Sequence, residues 1–191
     1  MHYVGIFALV VFTSMLFTQC RSTEDVTIRA GETEIETLCS GPEYFTDDEY
    51  FRANAIGESS NQSQSKRSAL SNARAELAGN ISVLVSGAVD NYFQQMGVEE
   101  RSEYAERYQG LFREVVDERL NGTRTICERV TVTHDGNYKT YIAIELTGAE
   151  IMNAANQRIY NDERLRLDYD YERFREIFDE EIQRVREERG F

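Results

Sequence analysis

The feature of this sequence that most constrains its fold is an apolar stripe at helical spacing between residues 65 and 93. Its members recur at intervals of 4, 4, 4, 3, 4 and 4 residues, namely Ala69, Ala73, Leu77, Ile81, Leu84, Ala88 and Tyr92. Because residues three and four apart share one face of an α-helix, the stripe predicts one continuous amphipathic helix. The first half of the stripe is small and the second half large, so we expect the helix to approach a sheet closely at one end.

Strand patterns lie on both sides of this helix. The segment "YFRANAIGESS" from Tyr50 alternates apolar and polar residues up to Gly57, which is typical of a strand. Later, "TRTICERVTVTHDGNYKTYIAIEL" places two alternating arms around Asp135-Gly136, a dipeptide that favours a tight hairpin turn. We expect one hairpin face to be core, with Ile126, Val130 and Val132 on the first arm and Ile142, Ile144 and Leu146 on the second.

The remaining segments are predicted to be helical. "EERSEYAERYQGLFREVVDERLNG" carries apolar residues on one side and stops at Asn121-Gly122, so it predicts a second helix. After Thr147-Gly148 the chain is highly charged and has helical periodicity. Together these segments predict an α+β fold, in which a small antiparallel sheet is packed by two long helices and an additional long charged helix ends the chain.

The last helix carries a stripe that has two interpretations. Its residues are spaced 4, 3, 4, 4 and 3 apart: Leu167, Tyr171, Phe174, Phe178, Ile182 and Val185. On the first interpretation the stripe closes the core of the fold. On the second it is an exposed partner-helix stripe that pairs with another chain or with a second copy.

The N-terminus predicts export and lipid attachment. Residues 3–17 are almost all apolar and uncharged, which is the length of a signal-peptide core and short of a membrane-spanning helix. The run ends at Cys20, where the chain turns polar, as in bacterial lipoprotein signals whose cysteine receives a diacylglyceryl group and becomes the new N-terminus. Gln19 departs from the small residue preferred there, so an ordinary cleaved signal or an uncleaved anchor remains the alternative.

The charge and the cysteine content of the sequence limit the partners and the cellular compartment that we expect. The chain has 191 residues, 21 Lys+Arg against 34 Asp+Glu, and a net charge of -13, so it is expected to repel nucleic acid. If Cys20 is lipidated, Cys39 and Cys127 remain as an even pair in an exported protein, where disulfides persist. We predict that they pair across the second face of the hairpin; two separately buried thiols are the alternative.

No residue pattern predicts catalysis. The chain has two histidines, His2 in the signal and His134 beside the hairpin turn, and it lacks a Gly-rich phosphate loop and metal-spaced cysteines. The acidic pairs Asp47-Asp48 and Asp168/Asp170 are the candidates for acid-base work, but 34 carboxylates produce such pairs by chance. We predict no catalytic residue, no metal site and no cofactor.

The order of elements resembles the Lpp-twenty-like family of bacterial outer-membrane lipoproteins, whose fold is shared with the N-terminal domain of flagellar assembly protein T. The resemblance covers Glu43 to Leu146 and is carried by the strand "YFRANAIGES", the helix "ALSNARAELAGNISVLV" and the hairpin end "YKTYIAIEL". It implies an α+β domain in the cell envelope with no established enzyme activity and no cofactor.

From these features we expect four segments. They are a signal peptide over residues 1–19, a polar tether over 20–38, the α+β domain over 39–148 and a charged helical extension over 149–191. The expected function is that of a non-catalytic protein, anchored by Cys20 in the outer membrane on its periplasmic side or at the cell surface, that binds or scaffolds envelope components. The alternatives are self-assembly through the C-terminal helix and, more remotely, hydrolysis of an envelope polymer by carboxylates.

Overall fold

The computed structural model describes residues 35–97, 103–166 and 169–189. From Glu36 onward the chain forms one compact unit. Its elements are β1 (Tyr50–Ser59), α1 (Gln62–Gln95), α2 (Glu103–Arg119), β2 (Arg124–Val132), β3 (Tyr138–Thr147), α3 (Gly148–Asn161) and α4 (Tyr171–Arg189). The α+β prediction is therefore confirmed. The predicted signal peptide, Cys20 and most of the tether lie outside the described residues.

The three strands form an antiparallel sheet in the order β1-β3-β2, so the last strand in sequence is the central one. β1 pairs with β3 in an unbroken register from Tyr50 opposite Thr147 to Ser59 opposite Tyr138. β2 and β3 form the predicted hairpin around Asp135-Gly136, and Gly136 has the positive φ of 80° that this turn requires. Because β3 is central, both β1 and β2 are edge strands.

Helix α1 lies on one face of this sheet. All seven residues of the predicted stripe are buried, and they share a core with Phe51 and Ala53 of β1 and with Ile142, Ile144 and Leu146 of β3. Asn61 begins the helix by accepting a hydrogen bond from the backbone N–H of Gln64 at 3.1 Å. The stripe thus fixes which helix face meets the sheet, as the spacing predicts.

The contact between α1 and the sheet is closest at Gly57. A Cβ on Gly57 would overlap the backbone of Ala69 and Ser65. The buried Ser65 hydroxyl donates to the carbonyl of Gly57 at 2.9 Å and lies 2.7 Å from the hydroxyl of Thr140 on β3. A strand glycine, a helix serine and the small alanines therefore let the two backbones meet without an unpaired polar group.

The C-terminal helices belong to the same core, so the expected boundary at residue 148 is wrong. α2 packs against α1 and α3, and α4 packs against α1. Buried residues of α3 and α4, among them Ile151, Ile159, Phe174 and Phe178, join the cluster that contains the sheet residues. The described residues of 149–166 and 169–189 therefore complete the fold instead of extending it.

The first hairpin arm also differs from expectation. A register shift between Thr125 and Cys127 turns Ile126 toward the second face of the sheet, where it packs on Cys127 and Ala143. Val130 and Val132 are 38% and 63% exposed, because they lie on the edge strand beyond the part of the sheet that α1 covers. The alternation of residues along β2 predicts that Ile126, Val130 and Val132 share one buried face. The bulge moves Ile126 to the other face, and the edge position leaves the two valines exposed.

In the described part of the chain, none of the helices has the length and apolar character needed to cross a membrane.

Candidate functional site

A groove of about 380 Å³ opens where the start of α3 meets α4 and the loop before β1. Two helix starts form it: Thr147 accepts the N–H of Glu150 at the beginning of α3, and Asp170 accepts the N–H of Arg173 at the beginning of α4. The lining residues are Asp48, Glu49, Gly148, Ala149, Met152, Asn153, Tyr171, Arg175, Phe178, Asp179 and Ile182.

The floor of the groove is apolar. Met152, Phe178 and Ile182 are all at least 95% buried, with exposures of 5%, 1% and 4%. Phe178 is held in turn by an edge-on contact with Phe51 of β1, with the ring centroids 6.3 Å apart. The floor therefore belongs to the main core, and its position is set by the sheet.

The rim of the groove carries three carboxylates and one arginine. Asp48 accepts a hydrogen bond from Gln183 at 2.6 Å and forms an ion pair with Arg186, so its charge is compensated from α4. Glu49 lies beside the hydroxyl of Tyr50, and this contact raises the pKa of Tyr50. Asp48 thus links the loop before β1 to α4.

Asp179 is the rim carboxylate without a hydrogen-bond or ion-pair partner in the described ranges. Burial raises its pKa, and the negative charge of Asp48 adds to that effect, while Arg175 opposes it. A positively charged group from a ligand would stabilise the ionised carboxylate, as Arg175 does. The groove is thus suited to a ligand that combines an apolar body with a cationic group.

The C-terminal stripe lies in the core, so its interpretation as a surface for another helix is wrong. Phe174, Phe178 and Ile182 are buried in the main cluster, and Tyr171 and Val185 are half-buried. Leu167 lies outside the described residues. The physical reason is that α1 and the sheet offer an apolar face of the right width, and α4 covers it. The first of the two interpretations holds for the described members of the stripe.

The cysteine pair lies on the second face of the sheet. The Sγ atoms of Cys39 and Cys127 are 2.04 Å apart, at disulfide distance, in agreement with the predicted pairing. The pair packs on Ala143 of β3, with Tyr44 and Tyr141 beside it. Cys39 adopts a positive φ of 58°, which only a few per cent of non-glycine residues do. The bond therefore fixes the segment before β1 across this face.

The described members of the acidic pairs considered for catalysis have structural partners. Asp47 forms an ion pair with Arg52 at 2.6 Å and accepts the N–H groups of Glu49 and Tyr50. Asp170 caps α4, and Asp168 lies outside the described residues. His134 sits in the hairpin turn, as predicted, and no group of three metal-ligating side chains occurs in the described segments.

Two buried charge clusters have no clear signal in the sequence. Glu145 of β3 is 4% exposed and is bound by Arg52 from β1 at 3.0 Å and by Arg124 from β2 at 2.7 Å. Glu181 of α4 is 2% exposed and accepts hydrogen bonds from Asn91 and Arg184. The alternation of residues along β3 places Glu145 on the sheet face that points away from the core. Its two arginine partners become evident only from the strand register, which pairs Glu145 with Arg52 and Arg124.

Comparisons with family models, with curated proteins and with solved structures find no match to this chain. The similarity to the Lpp-twenty-like family, which rests on the strand, helix and hairpin patterns, therefore stays a prediction.

Proposed function

We propose that this chain is a lipid-anchored protein of the bacterial cell envelope, attached to the outer membrane through Cys20, and that its folded unit binds other envelope components without catalysing a reaction. The observation that carries the proposal is the cysteine pair. Cys39 and Cys127 are 88 residues apart in sequence and lie at bonding distance on the sheet. Such bonds persist in exported proteins and are rare where glutathione keeps thiols reduced.

The sequence before the folded unit supports the membrane attachment. The apolar run over residues 3–17 ends just before Cys20, and the following residues are polar. A diacylated cysteine contributes about 0.8 kcal/mol for each buried methylene, so two acyl chains hold a protein at a bilayer without a spanning helix.

The groove supports binding as the role of the folded unit. Its floor is apolar. Among the described residues, no lysine or arginine lies within ion-pair distance of Asp179 on its rim. Three of the four carboxylates considered for catalysis have structural roles, since Asp47 pairs with Arg52, Asp48 pairs with Arg186 and Asp170 caps a helix. We therefore favour a binding role over the hydrolase alternative.

Attachment is tested by replacing Cys20 with Ala in cells fed a clickable fatty acid. The unsubstituted protein should carry the label and sediment with outer membranes, and the Cys20→Ala variant should lose both properties. A Cys39→Ala/Cys127→Ala variant is the matched control, because it removes two cysteines and should keep the label. Retention of the label in the Cys20→Ala variant would contradict the anchor.

Binding is tested by photo-crosslinking in intact cells. A photoreactive residue at Asn153, which is exposed on the groove rim, should capture an envelope component. The same residue at Asp117, exposed on α2, is the control and should not. If purified protein instead hydrolyses peptidoglycan or glycans, with loss of turnover in Asp179→Asn, the chain is an enzyme and the binding role is wrong.

A further inference from the structure

The two edge strands of the sheet, β1 and β2, each have backbone N–H and C=O groups that point away from the central strand β3. The two edges differ in whether these outward groups are hydrogen-bonded. In β1, the outward groups of Tyr50 bond Asp47, those of Arg52 bond the hydroxyl of Thr46, and the carbonyl of Ile56 accepts from Asn72. These partners occupy the positions where an added strand would bond. The β1 edge is therefore blocked to β-sheet extension at these three residues.

The outward groups of β2 follow from the hairpin. The N–H of Thr133 donates to the carbonyl of Asn137 at 2.8 Å, so this pair bonds inward. Inward and outward bonding alternate along an antiparallel ladder, which leaves the backbone groups of Glu128, Val130 and Val132 pointing away from β3. Within the described residues, the one bond to these outward groups comes from Arg129, whose Nη1 donates to the carbonyl of Glu128 at 3.1 Å.

The side chains along this edge are suited to pairing with a strand. Val130 lies opposite Thr140, whose hydroxyl meets Ser65 of α1, so the valines are on the α1 side of the sheet. They are exposed at positions where an edge strand of a soluble domain is usually protected by charge. The bulge between Thr125 and Cys127 interrupts the pairing, and Glu128 to Val132 beyond it form a regularly paired segment of the edge strand.

We propose that the β2 edge binds an extended acidic segment of another protein, which adds to the sheet as a fourth strand beside Glu128 to Val132. The occupant is defined by charge complementarity. Arg129, on the face opposite the valines, is exposed and has no carboxylate partner in the described parts of the chain. A strand with apolar residues opposite Val130 and Val132 and a carboxylate opposite Arg129 matches both faces.

A second copy of this chain is a poorer occupant. Antiparallel self-pairing about Val130 would place Arg129 opposite Thr131 of the copy, which carries no carboxylate. A partner strand that alternates apolar and acidic residues would place a carboxylate opposite Arg129 instead. Backbone bonds would supply affinity, and the alternation would supply specificity.

The experiment measures binding of two labelled peptides to the full chain in detergent by fluorescence anisotropy. One peptide alternates valine and glutamate, and its control alternates valine and lysine. We expect the glutamate peptide to bind and to slow amide hydrogen exchange at Val130 and Val132. The lysine peptide should bind about tenfold more weakly or not at all.

Two variants locate the site. Val130→Pro removes an outward N–H that makes no bond to β3, so it should weaken binding of the glutamate peptide about tenfold while the fold is kept. Arg129→Glu should reverse the peptide preference, whereas Arg113→Glu, an equal charge change exposed on α2, should leave it unchanged. Equal binding of both peptides, or binding unaffected by Val130→Pro and Arg129→Glu, would overturn the proposal. So would a dimer in sedimentation analysis that Val130→Pro dissociates, which would assign the edge to a second copy.

Discussion

The carboxylate of Glu181 on α4 occupies the space that a side chain on Gly87 of α1 would fill. A Cβ on Gly87 would overlap Oε1 of Glu181 and lie 2.8 Å from its Cδ. The carboxylate accepts hydrogen bonds from Asn91 at 3.2 Å and from Arg184 at 3.0 Å, and the hydrogen bond that Arg184 donates to it raises the pKa of Arg184. α1 and α4 thus meet through a buried charge at a point where α1 has no side chain.

Replacing Gly87 with Ala is expected to lower the free energy of unfolding by about 1–3 kcal/mol, because the added methyl displaces a buried, hydrogen-bonded carboxylate. The matched control is Gly79→Ala on the same helix, where a Cβ meets nothing within 4 Å. That substitution should raise the free energy of unfolding by about 0.5–1 kcal/mol through helix propensity alone. Urea denaturation monitored by circular dichroism measures both.

A double-mutant cycle identifies the cause. In a Glu181→Ala background the carboxylate is absent, so Gly87→Ala should no longer be destabilising and should behave like Gly79→Ala. If both alanine substitutions stabilise the unmodified protein equally, the contact between Gly87 and Glu181 does not constrain the fold.

Gly57 provides a second steric prediction. Its Cβ would overlap backbone atoms of Ala69 and Ser65, and backbone cannot move aside as a flexible side chain can. Gly57→Ala should therefore destabilise the protein by about 2–3 kcal/mol, although alanine is ordinarily better than glycine in a strand. Gly110→Ala on α2, where a Cβ has open space, is the control and should not destabilise. The midpoint of urea unfolding of each variant measures the effect. An unchanged midpoint for Gly57→Ala would show that α1 can shift outward at no cost.

The helices and the hairpin were predictable because each depends on local periodicity. The spacing from Ala69 to Tyr92 fixes one helix face, and Asp135-Gly136 fixes one turn. Apart from the cysteine pairing, features that depend on which elements meet were not predictable. Nothing near Glu181 in sequence shows that Gly87 leaves room for its carboxylate, and nothing in the alternation of β2 shows the bulge before Cys127. The groove was not predictable for the same reason, because its lining comes from α3, α4 and the loop before β1, which are distant in sequence.

The disulfide between Cys39 and Cys127 is expected to contribute about 4–5 kcal/mol to the free energy of unfolding. The two cysteines are 88 residues apart in sequence, so the bond closes a long loop in the unfolded chain and lowers its entropy. Addition of reductant should lower the urea midpoint of the unmodified protein. The Cys39→Ser/Cys127→Ser variant should start at that lower midpoint and should not respond to reductant. An equal response of the variant would mean that reductant acts elsewhere and that the two thiols are not bonded.

The ion pair between Asp47 and Arg52 predicts a stability change in acid. Partial burial of Asp47 favours its neutral form, but hydrogen bonds from the N–H groups of Tyr50 and Glu49 and the Arg52 guanidinium outweigh this and lower its pKa below the usual 3.8. Because the folded state holds the charged form, this stabilisation is complete above pH 3.8 and is lost as the pH falls through the lowered pKa. The melting temperature of Asp47→Asn should therefore lie below that of the unmodified protein at about pH 6, and the gap should shrink toward about pH 2. Asp117→Asn, an equal change on the exposed side of α2, should show a gap near zero throughout. A gap for Asp47→Asn that stays constant across this range would show that its charge plays no part in holding the loop before β1.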